Sequence, residues 1–349
     1  MAAMSKIILS AALCIALAHA LHAKDDPAPQ LQLDTVLAQH SFAHRATAPF
    51  ALDADFVAQA NVPIEGRLKL RWQASDRWWS RVDFGPFELV TIRDGEMEYT
   101  VRNASFTPFQ VIELFHLFGL GDKLQSVRVI KVRPRIAPGF VCWQARIADE
   151  RREVHEFCAD SQTHDLLSNL VKTGAENSRS QRFSDYVGAS ESRYPRRLEL
   201  LINGSKIISA TISFLGPLSF DPALLNPPQN AIVRRKCADL KAPVPVKKKA
   251  IDLKRRLRFS THSTLALTVL ADGSVGDVNV IQRGGTALDK SALDSLKEWK
   301  FSPATCGGEP VIDDGLADVD YHVIKFAPGR SLKFMSMGAI TVTFRDWVR

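Results

Sequence analysis

"TLALTVLADGSVGDVNVIQRGGTALDKSALDSLKEWKFSPATCGGEPV", residues 264 to 311, changes its hydrophobic period twice, and those changes decide the fold of the C-terminal part of the chain. Leu265, Leu267 and Val269 share one face of a strand. Asp272-Gly273 supplies a tight turn, and Val278 and Val280 return with the same period of two. Gly284-Gly285 breaks that pattern. Leu288, Ala292, Leu293, Leu296 and Trp299 then recur along one apolar stripe, the signature of an amphipathic helix that also carries Asp289. Pro303 stops the helix from continuing, because its ring clashes with the preceding turn and it has no N–H to donate. Phe301 lies between them in extended chain, and Gly307-Gly308 permits the next turn. "ADVDYHVIKF" (317–326) alternates again through Val319, Tyr321 and Val323. The order is β-β-α-β, one helix across a small antiparallel sheet, with Trp299 and Phe301 closing the core between them.

The chain before this module reads differently. "GRLKLRW" (66–72) alternates strictly, Leu68, Leu70 and Trp72 against Arg67, Lys69 and Arg71. "RWWSRVDFG", "PFELVTIRDG" and "GEMEYTVRN" follow at strand length, with Asp94-Gly95 as a hairpin signal, and Glu96 and Glu98 are expected to face water. "TPFQVIELFHLFG" (107–119) switches to helical period, with Pro108 near its start and Gly119 at its stop. Further strand-like stretches run to "KIISATISFL", giving about ten or eleven strands around one apolar helix, a curved sheet or incomplete barrel. The chain is therefore expected to be α+β with two domains, an antiparallel half-barrel with a covering helix over 45–228 and the β-β-α-β module over 259–326. Residues 327–349 form a tail in which "AITVTFRDW" could add one strand.

Between the two, charge concentrates. The chain has a net charge of +7, yet residues 234 to 258 alone hold eleven Lys or Arg against Asp239 and Asp252, a local +9. With Pro243 and Pro245 and few large apolar residues, 229–258 reads as a basic linker. Its charge would suit nucleic acid, an anionic lipid surface or an acidic protein face.

The N-terminus sets the compartment. Lys6, the apolar run Ile7 to Ala18 and small residues before Lys24 have the layout of a signal peptide over 1–23, with cleavage after Ala20 or Ala23. The run falls short of the roughly 20 residues that a spanning helix needs. An uncleaved inner-membrane anchor is the alternative. Export to the periplasm is the expectation, and it removes nucleic acid as a partner.

Cysteine usage agrees with an oxidising compartment. Beyond Cys14 four remain, Cys142, Cys158, Cys237 and Cys306. "GFVCWQARIADERREVHEFCAD" reads as a hairpin, and a turn centred on Glu150 sets position 142 directly across from 158. Opposed residues of an antiparallel pair have Cβ atoms about 4.5 to 5.5 Å apart, close enough for a bridge after small adjustment. Cys142–Cys158 and Cys237–Cys306 are the expected pairs, the second tying the linker to the C-terminal module.

The string "LALTVLADGSVGDVNVIQRGGTALDKSALDSLKEWKFSPATCGGEPV" resembles the TonB C-terminal domain family over 250–326: strand, "DG", strand, glycine loop, "LD..AL..L..W.F.PA", turn and final strand. The matching positions are Asp272, Gly273, Leu288, Asp289, Ala292, Leu293, Trp299, Phe301 and Pro303, all with folding roles. The resemblance implies partner binding by strand addition, in transport across the outer membrane. Three departures argue against a complete energy transducer: no convincing anchor, no long Pro-Lys or Pro-Glu spacer, and no Tyr-Pro before the first strand. The expected docking edge is the final strand, Asp318, Val319, Asp320, Tyr321, His322 and Val323, unless the tail covers it.

The strand–helix–strand order of 50–220 resembles the periplasmic LolA/LolB half-barrels. That resemblance implies an apolar cavity under the helix, with Phe109, Ile112, Phe115 and Phe118 as its wall, and a lipid or lipoprotein acyl chain as ligand. The alternative to a partner-binding protein is thus a carrier of an apolar ligand; the competing expectation is that the same aromatics fill a closed core.

Nothing in the sequence points to an enzyme. His40 and His44 lack a third ligand at metal spacing, His155, His164, His262 and His322 stand alone, and GxSxG, HExxH and phosphate-loop patterns are absent. Asp313-Asp314 reads as a solvated turn. No cofactor or metal is expected.

Overall fold

The computed structural model describes residues 27–40, 42, 48–59, 62–104, 106–119, 127–134, 139–147, 154–173, 177–188, 193–237, 239–253, 261–326 and 333–343. The signal peptide expected over 1–23 lies outside the described residues.

The N-terminal part is built on one thirteen-stranded antiparallel sheet. Five strands form a first meander, β1 (Phe50–Ala58), β2 (Ile64–Ala74), β3 (Arg77–Phe84), β4 (Phe87–Asp94) and β5 (Met97–Arg102). Seven form a second: β6 (Val127–Pro134), β7 (Phe140–Ile147), β8 (Val154–Asp160), β9 (Leu166–Thr173), β10 (Asn177–Val187), β11 (Tyr194–Ile202) and β12 (Ser205–Pro217). The meanders join where β1 pairs with β12, and a short β13 (Ile232–Arg235) pairs with β5 at one end. The sheet does not close, since β13 and β6 are its two edges.

One face of this sheet carries the core. Leu68, Leu70 and Trp72 are buried, as the alternation predicts, and Trp72 stacks on Trp78 directly across at 6.4 Å between ring centroids. Gly66 lies between Phe56 and Phe84 in register, and a Cβ there would meet the Phe56 ring at 2.3 Å. The missing side chain is what lets that ring lie across the strand and stack on Phe84. Two helices cover the same face. The helix α1 (Pro27–His40), not expected from the sequence, places Leu33 and Val36 in the core. The helix α2 (Phe109–Leu117) buries Val111, Ile112, Leu114, Phe115 and Leu117, and its buried Glu113 accepts from Arg179 Nε at 3.0 Å. The guanidinium compensates the cost of burying that polar group.

The C-terminal part has its own core. Its strands β15 (Thr261–Val269), β16 (Val275–Gln282), β20 (Asp313–Phe326) and β21 (Lys333–Thr343) form a sheet in the order β16-β15-β20-β21. The helix α3 (Thr286–Leu296) lies on one face. Short strands complete it: β14 (Val244–Lys247) pairs with β17 (Lys300–Ser302), and β18 (Ala304–Cys306) with β19 (Glu309–Val311). The tail thus contributes a long strand, beginning at Lys333 rather than near Ala339, paired with β20 from Leu316 to Phe326.

The described first part of the basic segment, 232–237 and 239–241, is not a free linker. Its first part is β13, and Lys236 N donates to Glu96 O at 2.6 Å. A few residues later, Lys241 and Thr305 exchange both backbone hydrogen bonds, at 2.9 and 3.1 Å. Residues 232–237 and 239–241 therefore strap the edge of the half-barrel to the β18–β19 hairpin.

Candidate functional site

The family-like residues of the C-terminal module are held by backbone geometry more than by side-chain chemistry. Gly273, with φ +79°, accepts from Phe301 N at 2.9 Å, and a Cβ on it would lie 2.0 Å from Phe301 O. Asp272 accepts from Ser274 N at 2.8 Å, and the hydrogen bonds from Ser274 hold its carboxyl below the usual carboxylate range. Buried Asp289 accepts from Ser263 Oγ at 2.7 Å and Gly284 N at 3.0 Å, tying the glycine loop to α3. Trp299 Nε1 donates to Lys249 O at 3.0 Å, while Ala292, Phe301 and the partly buried Leu288 and Leu293 fill the core. Pro303 Cδ packs near the Gly273 turn. Tyr321 is fully buried and donates to Leu288 O at 2.7 Å; its desolvation pushes the phenol pKa up to about 12.

The expected docking edge is covered by a strand of the tail, the alternative that the sequence left open. Asp318 to Tyr321 belong to the part of β20 that pairs with β15 on one side and β21 on the other, and His322 and Val323 pair with β21. A strand whose N–H and C=O groups are already matched on both sides offers no edge. The sheet's outer strands are β16 and β21. On the face of β15 and β20 opposite α3, His262 Nδ1 lies 2.9 Å from Asp320 Oδ1, and Thr264 donates to Asp318 Oδ1 at 3.0 Å. Hydrogen bonding to Asp318, above all, raises the His262 pKa against the opposing effect of burial.

Both expected disulfides are present. Cys142 faces Cys158 in register, with Cα atoms 4.1 Å apart, and Cys237 joins Cys306 at 5.9 Å. Among the described residues the one grouping with metal-ligand spacing is Cys237, Asp239 and Cys306. Its two sulfurs are bonded to each other, and Asp239 accepts from Gly307 N at 3.1 Å, so the group staples the strap. Gly307 and Gly308, at φ +60° and +86°, make the tight turn between β18 and β19.

The candidate apolar cavity divides. Ile112, Phe115 and Phe118 are buried in or against the half-barrel core, Phe118 beside Phe42 at 6.2 Å, and Phe109 is partly buried. A cavity of about 110 Å³ touches Ile112 and Phe115 alone of the four, and its other walls include the β4–β5 end of the sheet and the C-terminal sheet. It is smaller than the roughly 300–1,000 Å³ of pockets that hold drug-sized ligands. Glu98, expected in water, lines it and is buried. Asp314, expected in a solvated turn, pairs with buried Arg234 of β13. Sequence reasoning missed this interdomain face, because charges at strand positions look solvated until a second domain covers them. The one available signal was arginine in the segment joining two domains.

Among the described residues no helix is long and apolar enough to cross a membrane. No curated protein matches the chain in sequence. Similar solved structures include a LolA-superfamily protein from Nitrosomonas europaea, at 7% identity and TM-score 0.39 over 56% of this chain and 96% of that one. A putative outer membrane lipoprotein-sorting protein domain from Vibrio parahaemolyticus matches at 9% and 0.37 over 56% and 94%. The MucA/MucB complex of Pseudomonas aeruginosa matches at 10% and 0.27 over 88% and 93%. Residues 252–322 match the family described as Gram-negative bacterial TonB protein C-terminal, and the C-terminal module is similar to that family.

Proposed function

We propose that this is a non-enzymatic periplasmic protein that binds an envelope partner by adding a partner strand to the outer edge of β21. The single observation that carries the reading is the sheet order. With β20 paired to β15 through Asp313–Tyr321 and to β21 through Leu316–Phe326, the C-terminal sheet ends in the eleven residues of β21, Lys333–Thr343. Main-chain pairing gives affinity from backbone groups and asks little of side chains. The match of residues 252–322 to the TonB C-terminal family supports this mode, and the two disulfides support an oxidising compartment.

The test is photo-cross-linking in cells. A photoreactive residue replaces exposed Ala339 or Thr341 on β21, and a control replaces exposed Asp277 on β16, the opposite edge. A discrete adduct from the β21 positions and not from 277 is expected. An adduct from position 277 alone would move the docking edge to β16, and none from any position defeats strand addition.

A further inference from the structure

The cavity of about 110 Å³ at Ile112 and Phe115 is built by both domains. Leu89, Glu98 and Arg102 face it from β4 and β5, Arg234 from β13, and Leu267 and Asp314 from the C-terminal sheet. Two polar atoms on its wall are buried without a hydrogen-bond partner among the described residues, Arg234 Nε and Glu98 Oε2. Both residues are more than nine-tenths buried, at 8% and 7% exposure. Arg234 commits one terminal nitrogen to Asp314, and Lys236 pairs with the other Glu98 oxygen at 3.9 Å, leaving Oε2 toward the cavity. Arg102 adds a second guanidinium, whose pKa burial pulls down from its ordinary value while Asp314 and Asp277 oppose that pull.

Buried donors and acceptors without a protein partner are matched by something, since such groups are almost always satisfied by protein, ordered water or ligand. Water is the competing occupant, and the volume would hold about three or four molecules at roughly 30 Å³ each. Water would leave the Ile112 and Phe115 walls facing a polar filling. A ligand with charged ends and a short carbon chain would match both kinds of wall.

We propose that this interdomain cavity binds a small zwitterion, an anionic oxyacid group and an ammonium joined by a short chain. The oxyacid lies on Arg234 beside Arg102, as the guanidinium fork favours phosphate and carboxylate oxygens. The ammonium lies on Glu98, and the chain rests on Ile112 and Phe115. This site is separate from the β21 edge, and its test involves no strand partner. The same chemistry occurs in free phosphoethanolamine and in the headgroup of phosphatidylethanolamine.

The test is calorimetric titration of the full chain with free phosphoethanolamine, beside vesicles of phosphatidylethanolamine with phosphatidylglycerol vesicles as the ethanolamine-free control. Saturable binding of an ethanolamine-bearing probe is expected. Binding of the free compound identifies a soluble zwitterion, and binding of the vesicle alone identifies the lipid headgroup. Glu98→Gln keeps the side-chain shape and removes the ammonium's partner, so affinity is expected to fall at least tenfold. Ile112→Phe, which fills the cavity without touching a charge, is expected to abolish binding and covers the case in which Glu98→Gln fails to fold. No saturable binding of either ethanolamine probe by the folded protein overturns the proposal in favour of water. Equal binding of phosphatidylglycerol vesicles, or unchanged affinity in both variants, overturns it as well.

Discussion

Gly273 and Phe301 share one backbone hydrogen bond, and the chain at Phe301 passes so close that a Cβ on Gly273 would lie 2.0 Å from its carbonyl oxygen. The turn between β15 and β16 and the exit from α3 are thereby one structural unit. Gly273→Ala adds both a steric clash with backbone and a left-handed φ of +79°. Gly95→Ala isolates the second effect, since φ there is +61° and nothing lies within 4 Å. The expected cost is about 1 kcal/mol at position 95, the scale of one left-handed non-glycine residue, and about 3 kcal/mol or more at 273. Denaturant midpoints of the two variants check the difference; equal losses would show that the close approach is relieved by a shift of the 300–302 segment.

That same turn shows why the C-terminal module was legible in sequence. Asp272-Gly273, the stripe from Leu288 to Trp299 and the break at Pro303 are local patterns, each set by a period or a φ requirement. The register that opposes Cys142 and Cys158 was legible for the same reason. What required three dimensions was β21. An alternating tail strand announces its own conformation and not its neighbour, so the edge assigned to 318–323 moved one strand outward. The helix α1 was missed because its apolar residues are not confined to one stripe: Leu33 and Val36 are buried while Leu31 is exposed. Arg234, Glu98 and Asp314 were illegible because a charged residue becomes buried only through a domain contact that no local pattern encodes.

Loss of the two disulfides should differ in cost. Cys142–Cys158 spans 16 residues and Cys237–Cys306 spans 69. In the chain-entropy account a 15-residue loop is worth about 3 kcal/mol and a 100-residue loop about 4.7, so the second bridge should exceed the first by about 1 kcal/mol. The second also fastens the strap, so its removal is expected to raise amide exchange at Lys241 and Thr305 before the rest of the sheet is affected. Serine replacement of each pair, followed by chemical denaturation and exchange mass spectrometry, measures both effects. A costlier loss from the short hairpin would defeat the entropic ordering.

The His262 cluster makes the C-terminal sheet weakly pH-dependent. Its folded pKa is raised above the usual 6.5 by Asp318 and Asp320. A raised histidine pKa adds stability that is fully present below about 6.5, the unfolded value, and is lost as pH rises through the folded value. The side chain is 38% exposed, so solvent screens the pairing and the effect is small. Denaturant midpoints are therefore expected to fall as pH rises above about 6.5 in the native chain, and His262→Gln is expected to flatten that part of the profile. A titration of the imidazole followed by NMR should place its pKa above 6.5; a value at or below it removes the basis for the slope.

Gln30 of α1 acts as a substitute strand at one end of the large sheet. Its Nε2 donates to Val127 O at 2.6 Å and its Oε1 accepts from Val129 N at 2.8 Å, the paired pattern that a neighbouring strand would make. The strand so capped, β6, is an outermost strand of the thirteen, and an open edge of that kind is a template for pairing with other chains. Each of the two hydrogen bonds contributes about 1 kcal/mol net, so Gln30→Ala should lower the local opening free energy by about 2 kcal/mol and speed exchange of the Val129 amide by about thirtyfold. Global stability should fall by no more than this, because Leu33 and Val36 still anchor the helix in the core. Uncapping should also increase concentration-dependent association, which light scattering at rising protein concentration detects. Gln30→Glu keeps the acceptor for Val129 N and loses the donor to Val127 O, so it separates the two bonds. Its Val129 amide is expected to stay protected. If Gln30→Ala leaves Val129 exchange unchanged, the edge is guarded by the body of α1 and the amide contributes nothing to it.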